Sequence, residues 1–287
     1  MPPTANKLNI TDHNRDSAGM VYVYPVVSRR ASGVSVGINL NPNNACNWRC
    51  IYCQVPGLKR GTAPKIDLIK LKSELRTFLH ELLHGNFMQQ HVPIQARRIN
   101  DIALSGNGEP TSAKEFEQVI QLIEQVKHEF SDLPDDLKLV LITNGSLINR
   151  VYVQAGLARM AKLNGEIWFK LDSATPEGRQ YINHTQMSLR RVRENLKLAA
   201  SLCNTWLQTC VFQINNEPPT EKETHAYVEF VDSLLQQGVP LKGVLLYGIA
   251  RPSMQPEAFQ LTKVPESWLI KFSGKIKALG LAVNINP

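Results

Sequence analysis

The 287-residue sequence has no long hydrophobic run. Its most apolar stretches, such as GVLLYGIA at 243–250, fall well short of the ~18 residues that a membrane-spanning helix requires, so no span is expected. Low-complexity tracts, internal repeats and Ser/Gly-rich linkers are also missing, which excludes a collagen-like or fibrous chain and leaves nowhere to divide it. The opening segment MPPTANKLNITDHNRDS lacks the basic-then-apolar pattern of a secretory signal. It also carries Asp12 and Asp16, which an Arg-rich transit peptide would avoid. A cytosolic protein is expected. Cysteine is scarce as well: five residues, an odd number, which in a reducing compartment argues against a disulfide framework.

What remains is the composition of a packed globular protein, 43% hydrophobic and 20% charged, which excludes wholesale disorder. Lys and Arg outnumber Asp and Glu by 32 to 25, a formal charge of +7 that favours a polyanionic partner such as RNA or a phosphorylated substrate. The length suits one α/β domain, so we expect a polar lead over 1–20 followed by a single domain over 21–287.

Two periodicities alternate through that domain. Strand-like runs occur at 33–40, 100–106, 137–143, 166–172, 206–214 and 243–249. Helical spacing of three and four links Leu68, Leu71, Leu75, Phe78, Leu79 and Leu82, and again Phe116, Val119, Ile120, Ile123 and Val126. Weaker helical patterns cover 149–163 and 188–202, then Tyr227 to Leu234 and Trp268 to Leu279, before a short last strand, LAVNI. Repeated βαβ units imply a parallel sheet, either an open doubly wound sheet or a barrel. Both architectures place their site at the C-terminal ends of the strands. The unusual polar residues follow strands in this way: the cysteines after the first, Gly106-Asn107-Gly108-Glu109 after the second, Thr143-Asn144-Gly145 after the third, Asp172-Ser173 after the fourth.

Cys46, Cys50 and Cys53 lie within the stretch CNWRCIYC, a C-x3-C-x2-C spacing, while Cys203 and Cys210 stand apart and read as small buried hydrophobes. Three thiolates on one loop suit zinc or an iron–sulfur cluster. A structural zinc site would need a fourth ligand, to be supplied by Cys203, Cys210, His80 or His84. A cubane held by three cysteines keeps one iron open. SGNGEPT at 105–111, taken alone, is an ordinary strand-to-helix turn.

With its aromatic Tyr52 before the last cysteine, CNWRCIYC resembles the hallmark of the radical S-adenosylmethionine (radical SAM) superfamily, and SGNGEPT resembles that family's glycine–glutamate motif, although Asn107 stands where many members carry Gly. PVVSRRASGVSVGINLNP before the cysteines and KLDSAT at 170–175 resemble the Fe–S oxidoreductase subgroup, related to the wyosine-forming tRNA enzymes. The resemblance implies a partial (β/α)6 barrel and a 4Fe-4S cluster on Cys46, Cys50 and Cys53. It implies S-adenosylmethionine bound through Gly106, Asn107, Gly108 and Glu109, with Asn144, Ser173, Gln213 or Asn215 at the ribose or carboxylate, Asp172 also facing the cofactor and Tyr52 packed near the adenine. The implied reaction is reductive cleavage of S-adenosylmethionine to a 5′-deoxyadenosyl radical that abstracts substrate hydrogen, with an electron donor such as flavodoxin or ferredoxin. No catalytic side chain is singled out.

The substrate implied is tRNA, but wyosine-forming enzymes carry extra cysteines upstream, and no Cys precedes Cys46 here. Activation of a protein substrate, as by glycyl-radical activating enzymes, or a small metabolite as substrate stays open. The competing class is a zinc- or cluster-containing nucleic-acid-binding module without catalysis. Arg29 and Arg30 are the expected phosphate contacts; Arg190, Arg191 and Arg193 are expected in solvent.

Overall fold

The computed structural model describes residues 19–28 and 33–287, so Arg29 and Arg30, and the N-terminal lead up to residue 18, lie outside the described residues. Two compact units emerge. One comprises the described part of Met1–Cys46 with Gly61–Ile142 and Arg150–Glu166; the other comprises Asn47–Arg60, Thr143–Asn149 and Ile167–Pro287.

In the first unit, strand β1 (Val23–Ser28) pairs antiparallel with β2 (Gly33–Ile38). Parallel β3 (Ile99–Leu104) and β4 (Lys138–Thr143) follow in the order β1-β2-β3-β4. Strand β2 is buried along its whole length, as the apolar run GVSVGI requires of a strand covered on both faces. The covering helices are α1 (Leu68–His84), α2 (Phe116–His128) and α3 (Val151–Ala161). Their buried residues include the predicted stripes Leu71, Leu75, Phe78, Leu79, Leu82 and Phe116, Val119, Ile120, Ile123, Val126. Asp67 caps α1 by accepting from the Lys70 N–H.

Strand β1 has no counterpart in the sequence reading. It contains Pro25, which lacks a ladder donor, and it occupies the sheet edge, where that loss is tolerated.

The second unit carries β5 (Gly165–Lys170, from Ile167 onward), β6 (Asn204–Val211), β7 (Leu241–Gly248) and β8 (Val283–Asn286) in that order, with β6-β7 and β7-β8 parallel. Its helices are α4 (Pro176–Asn183), α5 (Leu189–Leu202), α6 (Glu221–Gln236) and α7 (Glu266–Lys277). All but α4 match predicted helical patterns. Helix α4 starts on a Thr175 cap with Pro176 in its first turn and ends on His184 in the left-handed conformation (φ 48°).

Candidate metal centre and cofactor site

In the first unit the asparagine-rich stretch between β2 and Cys46 is fastened to the loop after β3 by its own side chains. Asn39 is buried, and its Oδ1 accepts from the N–H of Asn41 (3.1 Å) and of Asn107 (3.0 Å). Asn41 donates to the Ala45 carbonyl (2.9 Å) and to Ser112 Oγ (3.3 Å), while Asn107 donates to Asn44 Oδ1 (2.6 Å). The two chains approach so closely that a Cβ on Gly106 would lie 2.4 Å from Asn39 Oδ1, and one on Gly108 only 2.0 Å from the Ala45 carbonyl. Gly106 also has φ +143°. Both glycines are therefore demanded by packing against the chain that leads into Cys46.

Glu109 is 2% exposed, and its Oε1 accepts from the Thr111 N–H (3.1 Å) and hydroxyl (2.5 Å), capping the short turn Pro110–Ser112. Asn107 Oδ1 is different: it is buried with no hydrogen-bond partner among the described residues.

Cys50 and Cys53 belong to the second unit, where three stretches hold their loop. The Arg49 and Ile51 N–H groups donate to the Asn183 and Ile182 carbonyls at the end of α4 (3.3 and 2.9 Å). Ser253 donates its hydroxyl to the Ile51 carbonyl (2.6 Å), and the Met254 N–H donates to that of Cys53 (2.9 Å). Arg49 forms a two-pronged ion pair with Glu257 (2.9 and 2.7 Å). This pair holds the Arg49 guanidinium above its usual range and Glu257 below the carboxylate range. Arg49 also lies 2.8 Å from Nε2 of His184, and because guanidinium only donates, the ring nitrogen accepts. Burial, then the Arg49 charge, lowers His184.

Asp172 is the hub beneath this loop, its side chain wholly buried. Oδ2 accepts from the Tyr52 hydroxyl (2.5 Å) and Asn183 Nδ2 (2.7 Å), and Oδ1 from the Cys210 N–H (3.0 Å). Lys170 places Nζ 4.0 Å from Asp172 Oδ2, 3.3 Å from Tyr247 Oη and 4.8 Å above the Tyr52 ring. Burial alone would lower Lys170, but Asp172 and its neighbours raise it well above its ordinary value, so it is a cation. Burial, then Asp172, raises Tyr52, which stays a phenol packed against Phe212 with ring centroids 5.3 Å apart. Asn183 Nδ2 also lies 3.3 Å from Cys50 Sγ. Burial pushes the Cys50 thiol up to about 12, against the pull of Lys170.

Of the remaining predicted residues, Asn144 donates to Asn47 Oδ1 (2.8 Å) and accepts from the Ser146 N–H (3.0 Å), ordering the turn after β4. Ser173 donates to Glu223 Oε2 (2.7 Å). Gln213 accepts from the Thr262 hydroxyl (3.0 Å), and exposed Asn215 sits in the next turn with φ 53°. Cys203 and Cys210 are buried, and His84 lies 3.9 Å from Asp132. Arg190 and Arg191 are exposed and face Glu194. Arg193 departs from the solvent expectation: it donates to Ser233 and covers the Phe230 ring on α6. Sequence reasoning missed Asn39, Asn41, Lys170, Asn183 and the Arg49–Glu257–His184 group. The amide-rich run NLNPNN was the visible signal for the first two.

The radical SAM superfamily model matches residues 40–231 of this chain. The chain belongs to the radical SAM superfamily. It is 32% identical over 133 residues to the GTPase Obg of Brachyspira hyodysenteriae, covering 46% of this chain and 17% of that protein. It is 29% identical over 162 residues to the UPF0026 protein slr1464 of Synechocystis, covering 56% and 52% respectively. The chain thus spans from under a fifth to about half the length of these relatives. A radical SAM methyltransferase from Sphaerobacter thermophilus superposes with a TM-score of 0.57 at 10% identity, over 92% of this chain and 68% of that one. That likeness shows the fold class, the mixed α/β radical SAM fold with parallel strands. Members of that superfamily use a 4Fe-4S cluster and S-adenosylmethionine. Among the described residues no helix is long and apolar enough to cross a membrane.

The residues present fit those groups. The five cysteines are free thiols, and the three of the motif are partly exposed whereas Cys203 and Cys210 are buried. Among the described residues no three His, Cys, Asp or Glu side chains gather around a single ion. A cubane has no such need, because each cysteine ligates a different iron. The orphaned Asn107 acceptor, in the loop that resembles the glycine–glutamate motif, suits an ammonium donor.

Proposed function

We propose that Cys46, Cys50 and Cys53 hold the cluster and that the enzyme acts on tRNA as a polyanionic substrate, in the cytosol, with a flavodoxin or ferredoxin as electron donor. The observation that carries this reading is the C-x3-C-x2-C loop: its three cysteines are the partly exposed ones, and hydrogen bonds donated by Ser253 and Met254 and accepted by the carbonyls of α4 fix its second half. The chemistry supplied by the bound groups is one-electron cleavage of S-adenosylmethionine to methionine and a hydrogen-abstracting 5′-deoxyadenosyl radical. The chain binds and orients. Acceptors of 106–109, Asn107 Oδ1 first, would take the ammonium, and Asn144, Ser173, Gln213 or Asn215 would take the ribose or carboxylate. Tyr52 and Asp172 join this set as braces, since each is saturated by the other and by its neighbours.

Support for tRNA comes from the surplus of seven positive charges and from the subgroup resemblance. Binding of tRNA should weaken steeply with salt, with a log–log slope of roughly −0.7 to −0.9 per phosphate contact. Replacing Arg29 and Arg30 by Ala should reduce that slope by about two units if both touch phosphate. Filter binding at several salt concentrations measures it. No binding at low salt would remove tRNA and leave a protein or small molecule as the substrate.

A further inference from the structure

Asn183 ends α4 fully buried, 1% exposed, and spends one NH2 group on two acceptors: Asp172 Oδ2 at 2.7 Å and Cys50 Sγ at 3.3 Å. Its amide orientation is not free. A carboxylate that also accepts from Tyr52 and Cys210 requires a donor, so the NH2 must face Asp172, and the second N–H is thereby aimed at sulfur. The backbone repeats the connection: the Asn183 and Ile182 carbonyls take the N–H groups on either side of Cys50. Position and orientation of this donor are both fixed by its neighbours.

We propose that Asn183 is a positioning residue for the electron-transfer step, whose amide N–H, held in place by Asp172, donates to the Cys50 sulfur and raises the reduction potential of the cluster. The inference rests on Cys50 being a cluster ligand. Hydrogen bonds to cluster sulfurs are one of the levers by which a protein sets potential. Adding one electron makes the cluster and its thiolates more negative, and an N–H donor favours the more negative form. No bond to Asn183 forms or breaks; the electron comes from the external donor.

The test uses the whole 287-residue chain reconstituted without oxygen. It compares wild type with Asn183→Ser, which is too short to reach sulfur, and Asn183→Leu, which keeps volume without the donor. Circular dichroism reports folding, iron and sulfide analysis reports loading, and a dithionite titration followed by electron paramagnetic resonance reports the midpoint potential without S-adenosylmethionine. With loading unchanged, the ratio of reduced to oxidised cluster at a fixed potential should fall about tenfold in a variant. For one electron that is a shift of about 59 mV downward. An unchanged or raised potential in a fully loaded variant overturns the proposal. So does loss of iron from both folded variants, because Asn183 would then serve assembly instead. Cys50→Ala separates the two levels: if it keeps its full iron content, the ligand assignment itself has failed, whatever Asn183 does.

Discussion

Asp172 satisfies donors from Tyr52, Asn183 and Cys210, and it lies beside the buried cation of Lys170. Asp172→Ala removes the acceptor for all three and leaves that cation without its carboxylate, so folding stability should fall by roughly 3–5 kcal/mol, the cost of breaking a buried pair from one side. Urea denaturation of the variant measures it; a loss below about 1 kcal/mol would show the hub to be dispensable. Gly108→Ala is the corresponding test in the first unit, where the added Cβ would lie 2.0 Å from the Ala45 carbonyl. Overpacking of this kind costs about 1–3 kcal/mol. At this scale the sequence disclosed chemistry but not its direction. CNWRCIYC and SGNGEPT located the loops because residue type and spacing are written in the chain. That Tyr52 and Asp172 face each other across 120 residues depends on packing that no local pattern contains.

Helix α4 shows the limit at the scale of elements. Its eight residues, PEGRQYIN, bury only Arg179 and Asn183, both polar, so no apolar stripe announces it. The Thr-Pro-Glu start was its one legible mark. Thr175 accepts from the Gly178 N–H and pairs with Glu223, so Thr175→Ala should cost about 1 kcal/mol through the lost cap and loosen the grip on Arg49 and Ile51. The long amphipathic helices and apolar strands were legible because periodicity alone specifies them. Strand β1 was not, because Pro25 argues against a strand unless its edge position is known.

The Arg49–Glu257–His184 group couples the cysteine loop to pH. Both titratable partners have folded values below their ordinary ones, so each binds its proton less readily when folded, and stability is lost as pH falls. The first loss begins near the unfolded histidine value of about 6.5 and the second near about 4.3 for glutamate. Glu257→Gln should abolish the second loss, because the stability that the depressed carboxyl contributes above about pH 4.3 is then missing at neutral pH as well, and His184, which Glu257 holds up, should fall further. Denaturation midpoints from about pH 2 to 8 check this; an acid limb unchanged in the variant would remove Glu257 from the account.

For the molecule as a whole, the succession of strands and helices and the family match at 40–231 agree with what the sequence implied, since superfamily identity is carried by a motif and by an alternation that both survive in one dimension. The division of the described residues into two compact units was not visible, because the chain passes back and forth between them without a linker. The measurement that bears most directly on the whole account is metal content after anaerobic reconstitution, wild type against single alanine variants of all five cysteines. The account predicts about four iron and four sulfide per chain with visible charge-transfer absorption, lost in Cys46→Ala, Cys50→Ala and Cys53→Ala and retained in Cys203→Ala and Cys210→Ala. Stoichiometric zinc without visible absorption, or a cluster that survives loss of Cys46, Cys50 or Cys53, would contradict it.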